Sequence, residues 1–363
     1  MKIKDVYVIF KTHLDVGYTD YAKNIVDRYL NTFIPNAIRV GYELKESATP
    51  FIWTVGSWLI DQALKKDPDG SVAHAVEDGI LNWHGLPFTT HTELMNPAML
   101  QYGLEISGRL DQRFGKKTTA AKMTDVPGHT IGMVPFLNRA GIRFLHIGVN
   151  PDTPVPTVFR WKCNADEVTV MYDDSYGGIT EIGDFAVYFA HTNDNLGPQN
   201  AEEIIAVYEA AAKSYPGAQI HAATLNDIAE RICALEGLPV VEEEIGDTWI
   251  YGAASDPEKI SRYRKIQRYI ARNGCSAADL TGNALLVPEH TWGMAGQTFF
   301  PDTRHYSLTE FEGETKSGVP GEQRRAIEKS WEEQRGYVKE AEQLLDITPD
   351  YPVRKPPLDS YSP

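Results

Sequence analysis

A chain of 363 residues exceeds the usual single domain, and its 42% apolar content is enough for a sizeable core. The formal net charge of −15 disfavours nucleic acid or an anionic membrane surface as a partner, because both call for a basic face. No apolar stretch approaches the roughly 20 residues that cross a bilayer, and three scattered cysteines, Cys163, Cys233 and Cys275, provide neither a disulfide framework nor a thiolate zinc site.

Strand-like and helix-like runs alternate from the N-terminus. "VYVIF" leads into "YAKNIVDRYLNTFIPNAIRVGYELKES", "FIWTVG" into "SWLIDQALKK", and "ILNWHG" into "NPAMLQYGLEISGRLDQRFG". "TAAKMTD" precedes "TIGMVPFLNRAG", "RFLHIGV" follows, and "TVFRWKC" with "EVTVMYD" reads as a hairpin. "FAVYFAHT" then precedes "NAEEIIAVYEAAAKSYP", and "QIHAAT" precedes "LNDIAERICAL". Strongly apolar strands alternating with helices predict an α/β fold with a parallel sheet covered by helices. Seven such strands over about 235 residues suit a distorted barrel slightly better than an open sheet.

Past "LEGLPVVEEEIGDTW" the pattern changes. "DPEKISRYRKIQRYIARNG" and "GEQRRAIEKSWEEQRGYVKEAEQLLD" are polar, helical and strand-free. The expected organisation is a β/α unit over residues 1–245, a helical bundle segment over 246–346, and a proline-rich extended tail over 347–363. The absence of a signal-peptide pattern leads to a cytoplasmic expectation. A homo-oligomer is compatible with the sequence, which specifies none.

In parallel α/β folds reactive groups collect where strands end. His13 and Asp15, two apart at the end of the first strand, share one face. His84 follows the third strand, Asp125 the fourth and Asp194 the sixth. Imidazoles and carboxylates without a thiolate suit zinc or a similar divalent ion. Each residue also has a plain structural reading. His13 and Asp15 would be a hydrogen-bonded pair, Asp125 a turn residue before Pro-Gly, and His129 and His290 ordinary histidines. Asp194 lacks such a task, because Asn200 and Glu203 already supply a capping box for the helix beyond it.

Taken together, "HLDVGY" is similar to the His-x-Asp-x-Gly-Trp signature of glycoside hydrolase family 38, the α-mannosidases, and "KMTDVPGHTIGMVPFLNRAGI" resembles that family's second signature. "HTNDNLGPQNAEEI" and "YPGAQIHAATLNDIAERI" resemble later segments, so the likeness runs in order over about residues 5–295. It implies a seven-stranded distorted β/α barrel followed by a helical bundle. It also implies a zinc ion bound by His13, Asp15, Asp125 and His290, with Asp125 as nucleophile and Asp194 as general acid/base of a retaining α-glycosidase. Tyr18 would stand where the family stacks tryptophan on the sugar, and the partner would be a carbohydrate. Two alternatives stay open: a metal-dependent carbohydrate deacetylase or amidohydrolase, and a non-catalytic sugar-binding module using Trp53, Trp83, Trp249 or Trp292 as platforms.

Overall fold

The computed structural model describes residues 2–149, 153–250, 253, 256–273, 283–295, 307, 309 and 318–347. All but the first residue of the expected 347–363 tail lies outside them. The strands form two sheets. In the first, β1 (Asp5–His13) is flanked along its whole length by β9 (Phe185–Asp194), which pairs antiparallel with β8 (Ile179–Ile182). The other edge of β1 is divided. Its first half pairs with β10 (Gln219–Ala222), and Phe10 pairs with Trp53 of β2 (Trp53–Gly56), which continues to β3 (Leu81–His84).

The second sheet runs β11 (Val240–Val241), β6 (Val158–Cys163), β7 (Asp166–Asp174), β5 (Phe144–Val149) and β4 (Ala120–Asp125), parallel except for the β6–β7 hairpin. The expected seven-stranded barrel is thus replaced, among the described residues, by eleven strands in two sheets that do not close. At one seam the contact between β3 and β4 is a single backbone bond, Gly85 N–H to Ala120 carbonyl at 2.9 Å. Gly85 also leaves room for Ile142 beside this bond, since a Cβ there would lie 2.4 Å from Ile142 Cδ1. At the other seam the Thr180 hydroxyl of β8 donates to Asp173 of β7 at 2.7 Å.

Side chains two apart on a strand share a face, so the space between the sheets fills in layers. The lowest is apolar, where Ile9, Ala120, Phe144, Met171 and Val187 pack with Leu225 and Ile228 of α8 (Leu225–Cys233). One step up come Lys11, Lys122, His146 and Asp173. Lys122 Nζ donates to His146 Nδ1 at 2.6 Å, and His146 Nε2 lies 2.9 Å from Asp173 Oδ2. Burial, reinforced by Lys122, pushes the His146 pKa down to about 4. The ring is therefore neutral, accepting from the lysine and donating to the carboxylate. The next layer begins at His13 and Thr124, beside which Asp125 ends β4 with a positive φ.

Helices α1 (Ala22–Arg28), α2 (Ile34–Leu44), α3 (Ser57–Lys65), α4 (Ser71–Glu77), α5 (Pro97–Phe114), α6 (Val134–Arg139) and α7 (Ala201–Ser214) cover the sheets. α7 carries the expected capping box, Asn200 with Glu203. The later helices α9 (Pro257–Asn273) and α10 (Gly318–Leu344) pack together, with Arg262 bidentate to the buried Glu342. Glu333 of α10 reaches across to the start of α1, accepting from the Ala22 and Lys23 N–H groups at 2.8 and 3.0 Å. That carboxylate caps a helix whose own preceding residue, Tyr21, offers no cap. No helix among the described residues is long and apolar enough to cross a membrane.

Candidate active site

β1 ends in a register slip against β9. Residues pair one to one up to Thr12–Thr192, after which His13 stands opposite Asp194. This bulge swings the end of the strand so that His13 and Asp194 become neighbours. Asn195 holds the arrangement: its N–H donates to the His13 carbonyl at 3.0 Å, and its side chain accepts from Asp15 N–H at 3.1 Å and donates to Thr19 at 3.0 Å. Tyr29 adds a second donor to the same His13 carbonyl at 3.0 Å.

His290 arrives from the far side of the chain. Residues 288–290 dock on residues 89–91 through the His91 N–H to Pro288 carbonyl and His290 N–H to Thr89 carbonyl bonds. The next turn is tied to Tyr18, whose N–H donates to Gly293 and whose carbonyl accepts from Ala295. From behind, Gln334 of α10 donates to the Thr291 carbonyl at 3.0 Å and accepts from Lys259 of α9 at 2.6 Å, while Lys259 sits 4.5 Å over the Trp292 ring. The two late helices therefore fix the segment that carries His290.

Three buried ligand atoms converge. His13 Nε2, His290 Nε2 and Asp15 Oδ1 are mutually 3.0 to 3.1 Å apart. Asp125 stands at the edge of this group, with Oδ2 3.7 Å from His290 Nε2. Burial would raise the Asp15 pKa, but His13 and His290 hold the carboxyl well below its usual range. Burial also opposes charge on His290, yet Glu289, 2.6 Å from its Nδ1, and Asp15 outweigh it and raise its pKa well above the ordinary value. Surroundings that draw a proton onto a buried imidazole also favour a bound cation. Two Nε2 atoms facing one another beside a carboxylate, whose second oxygen Oδ2 is buried with no hydrogen-bond partner among the described residues, make a donor set that fits a zinc-like ion. Glu289 lies against Nδ1 as a close charge contact without hydrogen-bond geometry.

Beside this group Tyr176 joins the two other carboxylates. Its hydroxyl lies 2.9 Å from Asp194 Oδ1 and 3.2 Å from Asp125 Oδ1. The two carboxylate oxygens are thus no farther apart than those bonds laid end to end. That fits the closer glycosidase spacing of roughly 5–5.5 Å better than the wider one of roughly 6.5–9.5 Å. Burial, then the charge of Asp15, raises the Asp194 pKa, favouring the protonated form that an acid catalyst needs. Strain gathers here as well: Tyr18, Asp125, Ser175, Asn195 and Trp249 are five of the seven described non-glycine residues with positive φ.

The group opens into a cleft of about 570 Å³ whose lining includes Asp15, Tyr18, Asp125, Tyr176, Asp194 and His290, walled by Trp249, Trp292 and Trp331. Of the expected site residues, Asp15, Tyr18, Asp125, Asp194 and His290 line this cleft, and His13 lies behind them, in contact with Asp15 and His290. The expected four-ligand set appears as a tight three with Asp125 beside it. His84 lies apart from the cleft, buried below His13. His129 is buried with its backbone paired to Ile245, and burial pushes its pKa down to about 3. Trp53 and Trp83 are core residues, whereas Trp249 and Trp292 face the cleft.

Sequence reading missed Tyr176, Asn195, Glu289 and Trp331. Tyr176 stands in the Gly-rich "DDSYGGIT" turn after a strand. His91 was also passed over. Its Nε2 lies 3.0 Å from both the Trp292 indole nitrogen and the His290 carbonyl, and its Nδ1 lies 3.1 Å from the Thr248 carbonyl, contacts that hold one wall of the cleft.

A family described as a domain of unknown function, DUF5054, matches residues 253–354, the part that contains α9, the His290 segment and α10. No curated protein sequence matches the chain. Among solved structures, an α-mannosidase from Enterococcus faecalis V583 is similar with a TM-score of 0.61 and 13% identity, over 94% of this chain and 43% of that one. A glycosyl hydrolase family 38 protein from Enterococcus faecalis is similar with a TM-score of 0.55 and 12% identity, over 95% and 40%. The chain spans less than half the length of either. At these identities the likeness is one of fold.

Proposed function

We propose that the protein is a metal-assisted, retaining α-glycosidase of α-mannosidase type. The observation that carries this reading is the Tyr176 hydroxyl bridging Asp125 and Asp194 beside the His13–Asp15–His290 group. Asp194, protonated, gives its proton to the departing glycosidic oxygen while the free Asp125 oxygen attacks the anomeric carbon. Asp194, now ionised, then takes a proton from the water that releases the sugar and restores Asp125. Tyr176 keeps the two carboxyl groups at a fixed separation through both steps. A zinc ion held by His13, Asp15 and His290, with Asp125 alongside, would supply a Lewis acid for adjacent sugar hydroxyls such as the cis-diol of mannose. Tyr18 and the tryptophan walls suit the apolar faces of pyranose rings.

An aryl α-mannoside tests the proposal. Turnover with retained anomeric configuration, loss of at least about 100-fold in Asp125→Asn and in Asp194→Asn, and a fluorosugar adduct on the Asp125 peptide would support it. Unchanged turnover in Asp125→Asn would overturn it. A second reading, a carbohydrate deacetylase, is favoured by the fact that the tight ligand group forms without Asp125. Acetate released from an acetylated sugar with no cleavage between sugars would select it.

A further inference from the structure

Directly beneath His13, a cavity of about 20 Å³ is enclosed between the sheets, room for one particle the size of a water or slightly larger. Its charged lining is of one sign. Lys11 and Lys122 border it, and no carboxylate does. Lys122 is compensated on its other side, through His146 to Asp173. Lys11 is not: it is only 7% exposed and makes no hydrogen bond or ion pair among the described residues. An ammonium group left this way is costly to bury, because folding strips its hydration without replacing it. Burial accordingly pushes the Lys11 pKa down to about 7 and that of Lys122 well below its ordinary value, so an anion between them would restore their charged forms. His84, which also lines the cavity, is kept uncharged by burial and then by the two lysines.

We infer that this cavity is a binding site for a small monovalent anion of chloride size, held by Lys11 and Lys122. A bound anion supplies the missing countercharge for Lys11 and separates that cation from the metal-ligand group one layer above. The site is independent of the reaction proposed for the cleft.

Crystals of the intact protein grown in sodium bromide test it by anomalous diffraction. The expected result is a bromide peak within hydrogen-bond reach of Lys11 Nζ. A cavity holding only a water-like feature with no anomalous signal would overturn the inference. In solution, replacing gluconate by chloride at constant ionic strength should raise the melting temperature saturably in the native chain. Lys11→Met should abolish that response, and an equal response in Lys11→Met would contradict the assignment. If Lys11→Met does not fold, the bromide experiment on the native chain decides alone.

Discussion

Tyr176 is the residue on which the two carboxyl groups proposed for catalysis, Asp125 and Asp194, meet. Its hydrogen bond lowers the Asp194 pKa against the larger raising effect of burial. Tyr176→Phe removes that bond, so the Asp194 pKa rises further. An acid catalyst loses its proton as pH passes its pKa, so the basic limb of the kcat/KM profile should move to higher pH. At the same time kcat should fall about 10- to 100-fold, because the carboxyl groups lose their shared anchor. A pH–rate profile of both proteins reads this, and an unmoved basic limb would count against Asp194 as the acid. At this scale the sequence was informative where chemistry is local. His13 and Asp15 are two residues apart and do meet, although β1 ends at His13 and it is Asn195 that positions Asp15 just beyond the strand. Tyr176 is not legible because a tyrosine in a turn carries no metal-ligand or acid/base signal of its own until the fold sets it between two carboxylates, and Glu289 because its contact exists only once His290 has docked.

The elements that matter most are those that bring distant segments to β1. α10 does so twice, capping α1 with Glu333 and holding the His290 segment with Gln334. Glu333→Ala should cost about 0.5–2 kcal/mol, the usual worth of a helix cap, read as a lower midpoint of urea unfolding with turnover preserved. Gln334→Ala should instead leave stability nearly intact but weaken metal binding by about 10- to 100-fold, as loss of a supporting contact does, read by competition with a chelator. If Gln334→Ala binds metal as tightly as the native chain, the segment is held by its β-bridges alone. The capping box of α7 was legible because it is written in four consecutive residues. The short strand β8 was not, since Ile179–Ile182 has a largely exposed, weakly apolar pattern that only its partner β9 makes regular.

For the whole molecule, alternating strand and helix patterns give the α/β class and the order of elements. They do not say that the strands divide into two sheets. The seams between them are bridged by the Gly85–Ala120 bond on one side and the Asp173–Thr180 contact on the other, neither of which a periodicity contains. The same architecture ties β1, near the N-terminus, to a segment some 270 residues later through facing imidazoles, whose Nε2 atoms are 3.0 Å apart. A ligand that binds only the folded arrangement stabilises it, by about 4 kcal/mol at a thousand times its dissociation constant. Zinc should therefore raise the melting temperature of chelator-stripped protein, and His290→Ala should remove that gain. The most direct test of the account is calorimetric titration of zinc into the stripped native chain and into His13→Ala and His290→Ala. One ion per native chain, with binding lost in both variants, is the predicted result. No binding to the native chain, or binding unchanged in the variants, would contradict it.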